Sequence, residues 1–341
     1  MKDKVILITG GTGSFGQATA LALLRRKCRE LRIFSRDEFK QHEMALVSRD
    51  PRVRFHLGDV RDSHSLAKVM VGVDFVLHAA ALKHVPSCEV SPREAILTNV
   101  LGTQNVVDAA LQSRVSRVVI LSTDKAVFPV SAMGATKALA EKIAQAAARS
   151  QTDDGTIVSV VRYGNVLYSR GSVVPLFVQQ IRAKQPLTII DPAMTRFLLP
   201  LAEAVELVIY ALENAVSGDL FVHKARACSV ADLAEALLRT FNSNAVKQII
   251  GCRQGEKPFE TLASREEMMR SHDLGDFFRI PLASEEPGEG REPSKFLDPP
   301  GAQDYTSQNA PRLSIPEIER LLLNVPEIQC HLREQPTPKY V

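Results

Sequence analysis

Residues 5–16 read VILITGGTGSFG, and this stretch decides the fold. VILIT is a short apolar and β-branched run, a strand candidate. Gly10, Gly11, Thr12, Gly13, Ser14, Phe15 and Gly16 follow without a break, satisfying G-x-G-x-x-G from Gly11 and the wider G-x-x-G-x-x-G from Gly10. A pyrophosphate seated on a helix N-terminus needs backbone amides free of side chains, so the turn predicts a dinucleotide site within a βαβ unit. A glycine turn without a ligand is the competing reading, and the strand-turn-helix context weighs against it.

Working outward, LRIFS (31–35), VRFHL (53–57), DFVLHAA (74–80), RVVILS (117–122) and TIVSVVR (156–162) make six strand candidates with VILIT, separated by helix-length segments. That rhythm predicts an α/β protein: a Rossmann-type doubly wound parallel sheet with a smaller C-terminal substrate-binding lobe. SHSLAKVM (63–70) has helical spacing, and 92–113 reads as one long helix. Further on, LAEAVELVIYALENA (201–215) and VADLAEALLRTF (230–241) read as helices either side of the strand-like DLFVHKA (219–225). We expect residues 1–165 to form the dinucleotide-binding domain, with 199–225 returning to it, and 166–341 to form mainly the substrate lobe. Four prolines and three glycines within 283–301 predict a mobile loop there.

The formal charge of +3 and pI of about 8.6, without a clustered Lys/Arg block, argue against a nucleic-acid partner. No apolar run reaches the ~18 residues of a membrane helix. VILIT is also too short for a signal-peptide core, so a cytoplasmic protein without membrane insertion is expected. Cys28, Cys88, Cys228, Cys252 and Cys330 are scattered, odd in number and without a C-x-x-C pair, which predicts reduced structural thiols and no metal.

The second strand ends in Ser35-Arg36, where NAD enzymes usually place an acid for the ribose 2′-hydroxyl. A hydroxyl and a guanidinium suit a 2′-phosphate, with Lys40 as a third contact, so NADP is favoured over NAD. A solvated charge cluster is the alternative. Asp59 of Gly58-Asp59-Val60 is placed to accept from an adenine amino group, and Ala79, Ala80 and Ala81 offer small side chains where backbone runs close to the cofactor.

TGGTGSFG (9–16), GDVRD (58–62), HAAALKHVP (78–86), STDK (122–125), the helix Lys137 and RYGNV (162–166) occur in this order. Together they resemble the extended short-chain dehydrogenase/reductase superfamily, in its nucleotide-sugar branch. STDKAVFPVSAMGATK (122–137), RYGNVLYSRGSVVPLF (162–177), MTRF (194–197), RQGEKPFE (253–260), SREEM (264–268) and DYTSQNAPRL (304–313) extend the likeness over nearly the whole chain. They resemble the bacterial UDP-N-acetylglucosamine 4,6-dehydratases that also invert carbon 5, of the capsule and O-antigen type leading toward UDP-N-acetyl-L-fucosamine. Many relatives carry Tyr-x-x-x-Lys where this chain has Met133-x-x-x-Lys137. A thioether has no proton to exchange, and in the subgroup resembled this position is itself Met.

The resemblance implies a tightly bound NADP, recycled each turnover: hydride leaves carbon 4, water is lost across carbons 5 and 6, and hydride returns at carbon 6. These proton transfers then need side chains with tuned pKa values. Asp124 is expected to protonate the departing carbon 6 hydroxyl. Lys125 is expected to handle the carbon 5 proton, its pKa pushed down by burial beside Lys137 and the cationic nicotinamide. For the carbon 4 hydroxyl, Lys125, Lys137, Thr123 as a relay, or a water all remain open. Lys137 is expected on the nicotinamide ribose, and Met133 against the sugar as a spacer. Tyr163 and Asn165 of the RYGN stretch are placed at the cofactor, and Asn165 also at the substrate. Arg253, Glu256 and Lys257 are assigned to the diphosphate side, Arg170 and Gly171 to a substrate loop, and Arg196 to the uridine. Lys83 and His84 are placed near the sugar, His84 with a purely structural role as an equal alternative. Asn99 orders the active-site lysine through water or is a satisfied core amide.

UDP-N-acetylglucosamine is thus the expected substrate and a homo-oligomer, dimer or hexamer, the expected assembly. Two other functions compete: a UDP-hexose 4-epimerase, which would ordinarily keep the tyrosine, and a catalytically silent NADP-binding regulator.

Overall fold

The structure, a computed structural model, describes residues 1–151, 155–251, 256–283 and 302–333. Strand β1 (Val5–Thr9) is buried along its whole length, as a central parallel strand covered on both faces must be. It pairs in parallel with β2 (Glu30–Ser35) on one side and β4 (Phe75–His78) on the other. From β2 the sheet continues to β3 (Val53–Leu57); from β4 it continues through β5 (Arg117–Thr123) to β6 (Ile157–Tyr163). All six expected strands are therefore present, and the chain winds outward in both directions from the β1/β4 boundary. At such a boundary the connections leave a crevice beyond the strands' carboxyl ends, where α/β sheets bind ligands.

Helices cover both faces. On one, α1 (Ser14–Arg25), α2 (Glu38–Val47) and α9 (Leu201–Asn214) bury Leu23, Met44 and Leu207 against Ile6, Ile8 and Ile33. On the other, α3 (Ser63–Met70), α6 (Gly102–Gln112) and α7 (Ala132–Arg149) bury Leu66, Val106 and Ala144 against Val5, Leu7 and Val118. Beyond β4 the chain forms α4 (Val85–Val90) and α5 (Pro92–Ala95). The single helix expected over 92–113 is interrupted by a π turn at Ile96–Leu101. Asn99 lies inside this turn, and its amide side chain bonds the backbone of Leu82 instead of facing solvent. A π turn adds a residue to the helix and redirects side chains, so it is recurrent near functional sites.

The second lobe has its own core, formed by α8 (Val173–Arg182), β7 (Leu187–Ile189), β8 (Thr195–Leu198), β10 (Arg226–Ser229), α10 (Val230–Thr240), α12 (Ile315–Leu323) and α13 (Pro326–Leu332). Here β8 pairs with β10, and β7 with β11 (Lys247–Ile249). β12 (Thr261–Ala263), α11 (Arg265–Met269) and β15 (Tyr305–Thr306) lie between this core and the end of β5. The chain returns to the large sheet twice. β9 (Leu220–His223) adds beside β6. β14 (Phe277–Ile280) pairs antiparallel with β9, and β13 (His272–Asp273) antiparallel with β14, so both, which the sequence reading left with the second lobe, extend this edge. Most of the loop expected over 283–301 lies outside the described residues.

Arg162 of β6 ties these layers together. Its guanidinium donates to Glu141 of α7 at 3.0 Å and to Glu267 of α11 at 2.8 Å, with the Leu262 carbonyl as a third acceptor. Removing one member of a buried ion network strands the other charges, at a cost of about 3–5 kcal/mol. Arg162→Met should lower the urea midpoint by a corresponding amount, whereas an exposed control such as Lys142→Met should leave it unchanged; circular dichroism during denaturation checks this.

Candidate active site

The glycine turn is shaped for backbone approach. Gly10 has φ +69°, and a Cβ there would stand 2.7 Å from the Ala80 Cα, while one at Gly16 would stand 2.6 Å from Gly11. Thus β1 and the Ala79–Ala81 segment meet with no room for side chains, and α1 packs directly onto the turn. Gly13 caps α1 without a side-chain hydrogen bond, so the first-turn amides of Ser14, Phe15 and Gly16 remain for an anion. Gln17 braces the loop through the Thr12 carbonyl at 3.0 Å. Phe15 stacks on Tyr163, ring centroids 5.6 Å apart, which joins two residues that the sequence reading placed separately at the cofactor. These features fit a dinucleotide.

The adenosine-ribose corner is mixed in charge. Arg36 lies 3.7 Å from Asp59, which also pairs with Arg61. Lys40 turns to Asp37, whose carboxylate caps α2 and is held below its usual range mainly by Lys40. Ser35 is buried, and its hydroxyl accepts from Gln41 at 3.1 Å. The corner therefore offers both a guanidinium for a phosphate and a carboxylate for a hydroxyl. Val60 is buried beneath α6, and its carbonyl accepts from Asn105 at 3.0 Å. Beneath the crevice His78 is buried between Thr9 at 2.7 Å and Thr103 at 3.0 Å. Burial pushes its pKa down to about 3, so it is a neutral strut at physiological pH.

At the end of β5 the chain tightens into a 3₁₀ turn, Asp124–Ala126, before Ser131 caps α7 through the Gly134 amide at 3.1 Å. Thr123 donates to Asp124 Oδ1 at 2.6 Å. The Lys125 ammonium bridges Asp124 Oδ1 at 3.1 Å and Glu260 Oε1 at 3.2 Å. Asp124 Oδ2 and Glu260 Oε2 are both buried without hydrogen-bond partners among the described residues. Arg196 Nε stands 3.8 Å from Glu260 and Lys257 Nζ donates to the Val127 carbonyl at 2.7 Å, so both side chains converge on this centre.

Glu260 was not singled out from the sequence. It sits in RQGEKPFE, and the available signal was a glutamate opening the apolar run of β12, where an acid is costly to bury. Burial first, then the Asp124 charge, raise its pKa against the pull of Lys125 and Arg196. Lys125 departs from expectation. Burial depresses its ammonium, but Asp124 and Glu260 outweigh burial and hold the pKa above the ordinary lysine range. The depressed lysine is Lys137, which burial brings down to about 8 against the opposing charge of Glu141.

Met133 is 3% exposed and packs with Cys88 and Ala95, so its thioether is held in an apolar cluster. Asn99 donates to Leu82 and Thr136 and accepts from Leu82, which makes it the satisfied core amide of the two readings. Lys83, His84, Arg170 and Gly171 do come together: Gly171 lies against the His84 ring, and the Arg170 charge reaches Lys83 and Asp37. His84 itself bonds Ser87 at 2.9 Å. Asn165 Oδ1 and Glu256 Oε2 are buried without partners among the described residues. Arg253 lies outside the described residues.

These placements give two predictions. Met133→Leu conserves volume, so it should cost under about 1.5 kcal/mol and leave turnover near that of the parent; a steady-state assay beside a melting curve checks both. Lys137, charged below its depressed pKa and neutral above it, should titrate with a midpoint near 8. In the ligand-free protein, lysine side-chain NMR should show that resonance, and Lys137→Met should remove it.

Residues 6–282 match the family described as polysaccharide biosynthesis protein. A Rickettsia bellii (strain RML369-C) protein named UDP-glucose 4-epimerase is 48% identical, the match covering 97% of this chain and 98% of that one. A Rickettsia felis protein of the same name is 47% identical with the same coverage. The X-ray structure of Pen from Bacillus thuringiensis is 37% identical, covers 95% of this chain and 99% of that one, and superposes with a TM-score of 0.85. DesIV, a dTDP-glucose 4,6-dehydratase from Streptomyces venezuelae with NAD and TYD bound, is 26% identical over 74% of this chain and 86% of that one, with a TM-score of 0.69. With its dinucleotide crevice and the acid–base cluster at the end of β5, the chain belongs to this polysaccharide biosynthesis family of extended short-chain dehydrogenase/reductases and is a nucleotide-sugar dehydratase/epimerase.

Proposed function

We propose that the protein is an NADP-dependent UDP-N-acetylglucosamine 4,6-dehydratase that inverts carbon 5 and supplies a 4-keto-6-deoxy sugar nucleotide for bacterial surface polysaccharide. The observation that carries this reading is the Asp124–Lys125–Glu260 cluster at the strand end, combined with a core methionine where a phenol would stand. A 4-epimerase, the name its Rickettsia relatives bear, has one hydroxyl proton to move, and a tyrosine beside Lys137 would suffice. Two buried carboxylates around an ammonium suit a reaction with more proton transfers.

Bound dinucleotide would accept hydride from carbon 4 and return it to carbon 6. The protein's part is the movement of protons. Asp124, once protonated by internal transfer from Lys125, gives its proton to the departing carbon 6 hydroxyl. The freed Lys125 amine takes the proton from carbon 5. Lys137 holds the nicotinamide ribose, and the Lys83, His84, Arg170 and Gly171 cluster closes the sugar side. Arg36 supports NADP as the cofactor, in a corner where Asp37 offers NAD a contact.

The lobe division follows: 1–165 with 199–225 holds the cofactor, and much of 166–341 holds the UDP-sugar. Among the described residues no helix is long and apolar enough to cross a membrane, which accords with a cytoplasmic site of action. Exposed Ile96, Leu101 and Leu139 on adjoining helical segments of the cofactor lobe support a homo-oligomer.

Incubation with UDP-N-acetylglucosamine in deuterated water, without reductant, should yield loss of one water, a new 6-methyl group, deuterium at inverted carbon 5, and no net NADPH. NMR and mass spectrometry read all four. Equilibration with the 4-epimer without dehydration would replace this reading with the epimerase, and an unchanged sugar on cofactor-loaded protein would favour the silent regulator.

A further inference from the structure

The reaction proposed above, on which this inference rests, circulates two protons. One leaves the carbon 4 hydroxyl and one leaves carbon 5; one completes the departing water and one returns to carbon 5. An Asp124–Lys125 ion pair holds a single mobile proton, which moves from ammonium to carboxylate and back. A second must be kept between oxidation at carbon 4 and reprotonation at carbon 5.

We propose that Glu260 keeps it, as a positioning residue that acts through Lys125. The ammonium lies between Asp124 Oδ1 and Glu260 Oε1, at 3.1 and 3.2 Å, so one small motion of a proton along the Lys125–Glu260 contact frees the amine. Glu260 receives it in preference to Asp124 for a reason of donors. Asp124 Oδ1 accepts from both the Thr123 hydroxyl and Lys125, whereas among the described residues Glu260 Oε1 has only the ammonium at 3.2 Å and a guanidinium 3.8 Å away. Glu260 is also fixed in place. Its amide donates to Ser307 Oγ at 2.9 Å, its carbonyl accepts from Ser307 N at 2.8 Å, and Ser307 is bonded in turn to Thr195. The charged groups that bear on it are Asp124 and Lys125 from the turn after β5, Arg196 from β8, and Lys257 from its own segment.

The step balances. Lys125 passes an ammonium proton to ionised Glu260 and takes the carbon 4 hydroxyl proton, while hydride leaves carbon 4 to the oxidised dinucleotide. The products are the ketone, Lys125 ammonium and Glu260 carboxylic acid. After water loss a proton reaches carbon 5 on the face opposite the one from which Lys125 took it, and Glu260 makes up that proton and returns to its anion, so that Asp124 and Lys125 end as they began.

Glu260→Gln and Glu260→Asp test this in two independent ways. In the ligand-free protein, side-chain NMR should place the wild-type Glu260 midpoint above the ordinary carboxylate range, and Glu260→Gln should shift the Lys125 midpoint downward. A Lys125 midpoint that stays in place overturns the proposal whatever the substrate proves to be. With UDP-N-acetylglucosamine, Glu260→Gln should lower kcat about 100-fold or more with KM little changed. It should also lose the acid limb of the wild-type pH profile, and Glu260→Asp should recover part of the rate. Wild-type kcat with the acid limb intact in Glu260→Gln overturns the proposal. Absence of dehydration in the wild type overturns the functional reading alone, because the NMR midpoints still decide whether Glu260 and Lys125 share a proton. Should the Gln variant not fold, the Asp variant carries both readouts.

Discussion

The Lys125 ammonium, held between Asp124 and Glu260, is the contact that joins the end of the parallel sheet to the second lobe. Neither carboxylate could be buried alone at acceptable cost, because an unpaired charge in a low-dielectric setting must neutralise or be solvated. The two acids raise the pKa of Lys125 against burial, while burial first, then the Asp124 charge, raise that of Glu260. Two carboxylates sharing one ammonium at contact distance can pass a proton among them. Structure and chemistry thus depend on one ammonium and its two neighbours.

The rest of the architecture serves to deliver these groups. The reversal of strand order at β1/β4 opens the crevice, and the bare Gly10–Ala80 approach lets a dinucleotide lie in it. The π turn places Asn99 where its amide can clamp Leu82 and Thr136, fixing the loop after β4 against α7. Gly134 permits α7 to start directly against the Lys125 carbonyl, since a Cβ there would stand 2.3 Å from that oxygen. At a second level, Arg162 anchors β6, α7 and α11 together, and α11 follows directly from β12, the strand that Glu260 precedes. Buried ion networks are weak sources of net stability but strong determinants of which partners meet.

Much of this was legible in the chain itself. Six strands, most helices and the glycine turn are local patterns, set by apolar period and by glycine's lack of a Cβ, and these transfer directly to structure. The roles of Asp124, Lys125 and Lys137 came from the resemblance, their places at a strand end and on a helix from the local pattern. Met133 was recognised as unable to exchange protons, but its burial against Cys88 and Ala95 depended on how α4 and α5 pack on α7. The π turn within the helix over 92–113 had no local breaker to announce it, and the Leu82 backbone that Asn99 meets there lies 17 residues upstream.

Sequence alone determined the fold class, the dinucleotide crevice and the motif company of a nucleotide-sugar enzyme, because each rests on residues adjacent in the chain. Tertiary structure decided which lysine has the depressed pKa. Lys125 was expected to be the depressed one and Lys137 a ribose contact and one candidate for the carbon 4 proton, yet Asp124 and Glu260, the latter 135 positions away, raise Lys125 while burial lowers Lys137. A pKa is set by the charges and solvent within a few ångströms of the group, and for Lys125 that neighbourhood is assembled only when the second lobe folds onto the end of β5.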